Sequence, residues 1–156
     1  AQALAQALAE VKVPGRQQRL MWQGREIWCD VSHNRESVNA LTTSLRAHPA
    51  AGTTHAVFAG MADKPLRDMM DSVAPLVEHW HLPPLEGLPR AASPSDVATM
   101  LSGNNATVYP SIEALTDALL SATLPGDRVV VFGSFVTVGA LLSYFQSLGP
   151  SCGITA

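Results

Sequence analysis

The chain has 156 residues, enough for one domain with a real core. Apolar residues make up 47% of it and charged ones only 15%, which argues for a packed domain and against disorder. A formal net charge of -3 implies no strongly basic face, so nucleic acid is not an expected partner.

Residues 1–10, "AQALAQALAE", suit a short helix rich in Ala, Leu and Gln. "VPGR" at 13–16 breaks it, because Pro cannot continue a helix and Gly loosens the turn. "QRLMW" and "EIWCDV", separated by "QGR", read as a β-hairpin with Gly24 in the turn. "ESVNALTTSLRA" places Val38, Leu41 and Leu45 at helical spacing, and Asn34 is its expected N-cap. "THAVFAG" is a short buried-strand pattern ending at Gly60. "PLRDMMDSVAPLVEH" is helical, opened by Pro65, with Leu66, Met69, Met70 and Val73 inward and Asp63 as candidate cap.

"HWHLPPLEG" reads as a strand running into a Pro-rich loop. "SPSDVATML" is a helix with Ser93 as N-cap and Pro94 in its first turn, followed by a short strand, "ATVYP". "SIEALTDALLSA" is the clearest helix, with Ile112, Leu115, Leu119 and Leu120 on one face. "DRVVVFGS" is a continuous β-branched run, the pattern of a central parallel strand, and "FVTVGALLSYFQSLG" closes as a helix. The alternation predicts an α/β fold: a Rossmann-like, mostly parallel sheet with an N-terminal β-hairpin and helices on both faces. The expected boundaries are a linker helix over 1–12, the main domain over 13–149 and a flexible tail over 150–156.

Two cysteines, Cys29 in an apolar run and Cys152 in the tail, do not make a disulfide framework, so a reducing, cytoplasmic compartment is expected. No apolar run reaches the roughly 18 residues that span a bilayer, and no basic-then-apolar leader is present. Neither a membrane span nor a signal peptide is expected. The chain opens on Ala and on what reads as the end of a helix, so a fragment of a longer protein is expected.

Ligands of open parallel sheets bind beyond the carboxyl ends of the strands. Four clusters fall there: "DVSHN" (30–34), "GMADK" (60–64), "PLEG" (84–87) and "GSF" (133–135). Gly60 and Gly133 stand where strand meets helix, where a missing side chain lets a ligand approach the backbone. Each residue also has a plain structural use. Asp30 can satisfy loop amides, His33 can sit on the surface, Asp63 and Ser134 can cap helices, and Lys64, Glu86 and Arg16 can be solvated.

Some chemistry is missing. The chain has no G-x-x-x-x-G-K-[ST], no G-x-G-x-x-G and no G-x-S-x-G. The five histidines show no zinc spacing, and His79 and His81 alternate on a strand without evident partners, so no metal ligand is assigned. The residues alone therefore describe a ligand-binding α/β domain without complete catalytic machinery.

"VPGR", "DVSHN", "GMADK", "PLEG" and "VVVFGSFVTVG" occur in that order. The series resembles the C-terminal domain of the bifunctional dihydrofolate synthase/folylpolyglutamate synthase family, within the Mur ligase superfamily, from about Val11 to Leu148. The resemblance implies an ATP-dependent amide ligase. ATP phosphorylates a carboxylate of dihydropteroate or of a (tetrahydro)folate polyglutamate tail, and the amine of L-glutamate attacks the acyl phosphate. Phosphorylation supplies a leaving group, and domain closure supplies proximity.

The resemblance further implies that Arg16 and Asp30 contact ATP, Asp30 through ribose hydroxyls, and that His33 sits near the nucleotide. Ser134 and Phe135 would line the glutamate side. Asp63 and Lys64 receive no role. The P-loop and the Mg2+ ligands would lie in N-terminal and central domains outside this chain, so these residues alone should not catalyse ligation. The family motif is close to D-V-A-H-N-P; here Ser32 replaces Ala and Arg35 replaces Pro. A peptidoglycan Mur ligase lobe is the nearest alternative, disfavoured by Cys29 where a tandem acid is usual. A stand-alone nucleotide- or anion-binding module is the alternative from another class.

Overall fold

Gln23 and Gly24 both take positive φ, 45° and 82°, in a two-residue turn that reverses the chain in the sense that matches strand twist. It joins β1 (Gln18–Trp22) to β2 (Arg25–Cys29) in antiparallel register, Trp22 opposite Arg25. The computed structural model describes residues 17–101, 105–147 and 152–155, the last four by backbone alone. After β2 come α1 (Arg35–Ala47), β3 (Thr54–Phe58), α2 (Leu66–Val73), a 3-10 turn (Ala74–Leu76) and β4 (His79–Leu82). Then follow α3 (Pro94–Thr99), β5 (Asn105–Val108), α4 (Ile112–Ala122), β6 (Arg128–Phe132), α5 (Phe135–Ser147) and β7 (Cys152–Thr155).

The helix starts follow the expected cap chemistry with one exception. Asn34 accepts from the Ser37 N–H while the Ser37 hydroxyl answers the Asn34 backbone, a reciprocal cap. Ser93 and Ser111 cap α3 and α4 by a one-way bond, each side chain accepting from the N–H three residues on. Asp63 does not cap α2: the N-cap is Pro65, which has no side-chain donor or acceptor to offer. Pro75 lacks an N–H, and the chain tightens there into the 3-10 turn before β4.

The sheet has seven strands in the order β5-β4-β3-β6-β2-β1-β7. β2, β6, β3, β4 and β5 run parallel, and β1 pairs antiparallel on both sides. The segment expected as a flexible tail over 150–156 therefore includes an edge strand. Cys152–Thr155 find the open edge of β1, Trp22 opposite Cys152. Unpaired edge N–H and C=O groups favour such an addition.

Strand residues alternate between two apolar layers. Trp28, Ala56, Phe58, Trp80, Val130 and Phe132 pack against α1, α2 and α3 through Leu41, Leu45, Met69, Met70 and Val97. Ile27, Cys29, Val57, Val129 and Val131 pack on the other face against α4 and α5 through Leu115, Leu119, Leu141 and Phe145. The expected inward set of α4 holds for Leu115 and Leu119, whereas Leu120 is exposed. The three tryptophans are fully buried, which accounts for much of the core volume in a domain this size. Among the described residues no helix is long and apolar enough to cross a membrane.

Candidate functional site

Strand β6 lies between β2 and β3 although it is last of the five parallel strands in the chain. The helix after β2 packs on one face of the sheet and the helix after β6 on the other. Their connecting loops must diverge, and the carboxyl ends of β2 and β6 open into a crevice. Two of the four polar clusters meet there. Asp30 N–H donates to Val131 O at 2.9 Å and Gly133 N–H donates to Ser32 O at 3.0 Å, so the parallel ladder runs on past both strand ends.

Within this rim Asp30 is nearly buried, 6% exposed, and its Oδ1 accepts from Ser32 N–H at 2.8 Å and from the Ser32 hydroxyl at 2.6 Å. The plain use of Asp30, closing its own turn, is therefore real. It occupies one oxygen only; Oδ2 has no hydrogen bond among the described residues. Asp30, Ser32, His33, Asn34 and Gln17 line an open depression of about 590 Å³.

His33 is half-buried at the mouth, with Nδ1 3.2 Å from Val31 O. A carbonyl can only accept, so Nδ1 carries a proton and donates to it. Phe135 stands across from it, ring centroids 6.0 Å apart, and is 63% exposed. Ser134 is buried, and its Oγ accepts from Thr137 N–H at 3.1 Å, which makes it the cap of α5 rather than an open ligand. Arg16 lies outside the described residues.

The other two clusters do not join this rim. Asp63 and Lys64 are exposed in the turn before α2, and Lys64 lines a separate depression of about 510 Å³ with Arg67, Ser93 and Asp96. Glu86 is an exposed loop acid. A Cβ on Gly133 would stand 2.3 Å from Ala59 O, and one on Gly60 2.6 Å from a Leu66 methyl. The protein itself fills both spaces, so Gly133 permits close packing of strand ends and Gly60 close packing of β3 against α2, rather than ligand approach. At Gly133 a φ of 110° adds a backbone reason.

A polar cluster on the α4 face escaped the sequence. His55 on β3 and His81 on β4 meet Asp127, just before β6, and Tyr109, just after β5. The Tyr109 hydroxyl lies 2.8 Å from His81 Nδ1, His81 Nε2 3.0 Å from His55 Nδ1, and His55 Nε2 3.3 Å from Asp127 Oδ2. Asp127 also accepts from Leu124 and Thr53 N–H groups at 2.9 Å. Burial alone would raise the Asp127 carboxyl, but these backbone donors and His55 hold it below its ordinary value. His81 is fully buried, and burial followed by the neighbouring His79 and His55 rings pushes it down to about 3. The signal available beforehand was the H-x-H alternation, whose partners come from three other strands. Among the described residues no group of three or more His, Cys, Asp or Glu could hold a metal ion.

The profile of the family described as "Mur ligase, glutamate ligase domain" matches residues 15–135. The chain belongs to that family. A dihydrofolate synthase/folylpolyglutamate synthase of Escherichia coli (strain K12) is 31% identical over 145 residues, covering 93% of this chain and 33% of the relative. Among solved structures, E. coli FolC in complex with DHPP and ADP superposes with a TM-score of 0.82 at 28% identity, over 94% of this chain and 34% of that one. The bifunctional folylpolyglutamate synthase/dihydrofolate synthase of Yersinia pestis, complexed with AMPPNP and Mn, gives 0.80 at 28% identity, over 92% and 34%. The glutamate ligase domain seen here thus spans about a third of the length of the relatives it matches.

Proposed function

We propose that this chain is the C-terminal lobe of a cytoplasmic ATP-dependent ligase that adds L-glutamate to dihydropteroate and to folate polyglutamate tails. The observation that carries the reading is that the β6–α5 turn lies against the loop carrying Asp30 and His33, with the Phe135 ring centroid 6.0 Å from that of His33. These motifs are about a hundred residues apart in sequence and are joined by the Gly133-to-Ser32 hydrogen bond. The relatives with ADP or AMPPNP bound support a nucleotide on this family's scaffold.

In this reading the Oδ2 of Asp30 accepts from a ribose hydroxyl, for which an anchored carboxylate is a suited acceptor. His33 Nε2 and the exposed ring of Phe135 flank the space beside it, and Arg16, by the resemblance, would supply a cation for phosphate oxygens. As the resemblance implies, Mg2+ would be held by groups of the companion domains. Bound there, it would neutralise charge on the transferred phosphate. The carboxylate substrate is phosphorylated by ATP, the glutamate amine attacks the acyl phosphate, and amide, ADP and phosphate result. This lobe binds and orients; the P-loop belongs to the rest of the protein.

A coupled ADP-release assay with dihydropteroate and L-glutamate tests the assignment. The full-length protein should turn over, this chain alone should not, and Asp30→Ala in the full-length protein should raise the KM for ATP. Full turnover by residues 1–156 alone, or an Asp30→Ala enzyme with unaltered ATP dependence, would contradict the reading.

A further inference from the structure

We infer that Ser32 is a positioning residue for Asp30: its hydroxyl pins one carboxylate oxygen so that the other is presented to the vicinal diol of a nucleotide ribose. The inference rests on the nucleotide-side reading of Asp30 given above.

Among the described residues the Asp30 carboxylate accepts two hydrogen bonds, both from Ser32 and both at Oδ1, from the backbone N–H at 2.8 Å and from the hydroxyl at 2.6 Å. The Ser32 hydroxyl also lies 3.3 Å from Ser37 O. It has one proton, and the shorter, charge-assisted bond to the carboxylate takes it. Ser32 is itself 1% exposed, and its carbonyl is held by Gly133 N–H at 3.0 Å. The serine is thus fixed to the β6 turn on one side and grips Asp30 with two donors on the other.

This grip matters because the terminal torsion of an aspartate is soft and broad. With Oδ1 held twice, rotation about that bond is restricted before any ligand arrives, and a ligand need not supply that ordering itself. The family motif, as it resembles this loop, carries Ala at position 32. An alanine keeps the backbone donor and loses the hydroxyl, so this chain carries one restraint more than the motif requires.

The test uses the full-length protein, with steady-state kinetics on ATP, 2′-deoxy-ATP and 3′-deoxy-ATP. The wild type should prefer ATP. Ser32→Ala should raise the KM for ATP by about threefold to tenfold, the range for one lost hydrogen bond to a charged group felt indirectly, with the effect on KM rather than kcat. It should also narrow the preference for ATP over the deoxy analogues, and Asp30→Asn should narrow it further. If Asp30→Asn loses the preference while Ser32→Ala keeps both preference and KM, the Ser32 role is overturned and the Asp30 reading stands. If Asp30→Asn keeps the preference, the ribose reading falls and the Ser32 role with it. A Ser32→Ala protein with lower melting temperature and lower kcat but unchanged KM would make the serine structural, which also overturns the inference.

Discussion

Lowering the pH should destabilise this domain through His81, and the size of the effect follows from the hydrogen-bond chain around it. With both rings neutral, the polarity of the chain is forced. Asp127 only accepts, so His55 donates from Nε2, accepts at Nδ1 from His81 Nε2–H, and leaves His81 Nδ1 to accept from the Tyr109 hydroxyl. A second proton on His81 would face the Tyr109 proton and reverse that arrangement. In the fold the His81 pKa stands at about 3 against an ordinary 6.5, so the unfolded chain binds the proton more readily.

Stability from this group is complete above pH 6.5 and is lost as the pH falls toward 3. Between pH 7 and 5 the loss is about 2 kcal/mol from this residue, at 1.36 kcal/mol per unit once the unfolded group titrates. His79 is also lowered, by burial and then by the neighbouring His55 ring, and adds in the same direction. Urea titrations followed by tryptophan fluorescence at pH 7 and 5 measure it, since Trp22, Trp28 and Trp80 are all buried reporters. His81→Gln retains an N–H toward His55 and cannot titrate. It should lower stability at pH 7 by about 1–3 kcal/mol, because the Tyr109 hydroxyl loses its acceptor. Its loss between pH 7 and 5 should be smaller than the wild type's by about 2 kcal/mol. Equal losses in the two proteins would refute the argument.

Three further outcomes can be checked by thermal or urea unfolding. Gly133→Ala should cost about 3 kcal/mol or more, because its Cβ would sit 2.3 Å from Ala59 O on a backbone with φ of 110°. A loss within experimental error would mean that the two strand ends can separate. Arg25 is 7% exposed and donates to Thr123 O at 2.7 Å and Thr123 Oγ1 at 3.1 Å, tying the hairpin to the end of α4. Arg25→Met should therefore cost about 3 kcal/mol, with unpaired carbonyls as the main penalty. Ser111→Ala removes the acceptor for Ala114 N–H, and a loss of about 1 kcal/mol in the unfolding free energy is expected.

The elements that were legible in the sequence were those decided by local chemistry. Asn34, Ser93 and Ser111 cap their helices by side-chain bonds three residues long, and Leu66, Met69, Met70 and Val73 point inward as their spacing requires. The misreadings concern long-range partners. A "CGIT" segment carries no signal that β1 has an open edge for it. Asp63 looked like a cap because its position relative to Pro65 was right, whereas the helix starts after the proline. His79 and His81 looked solitary because His55, Tyr109 and Asp127 reach them only through the parallel pairing of β3, β4 and β5. Ser134 does cap its helix, by accepting from Thr137 N–H.

What makes the crevice usable is that its rim is one unit. Asp30 is hydrogen-bonded to β6, Ser32 to Gly133, and the bare Cα of Gly133 lies against the end of β3 at Ala59. Three strand ends from distant parts of the sequence are locked together before a ligand arrives, and the apolar side chains of Phe135 and Val136, 63% and 46% exposed, project from the rim. A group held on such a frame keeps its geometry to a fraction of an ångström better than one on a free loop. It follows that the requirement for glycine at position 133 is part of the site although no ligand need touch it. A larger residue there would move Ser32, and through its two donors Asp30, so on the proposed ribose-side reading of Asp30 the substitution that costs stability should also raise the KM for ATP of the full-length protein.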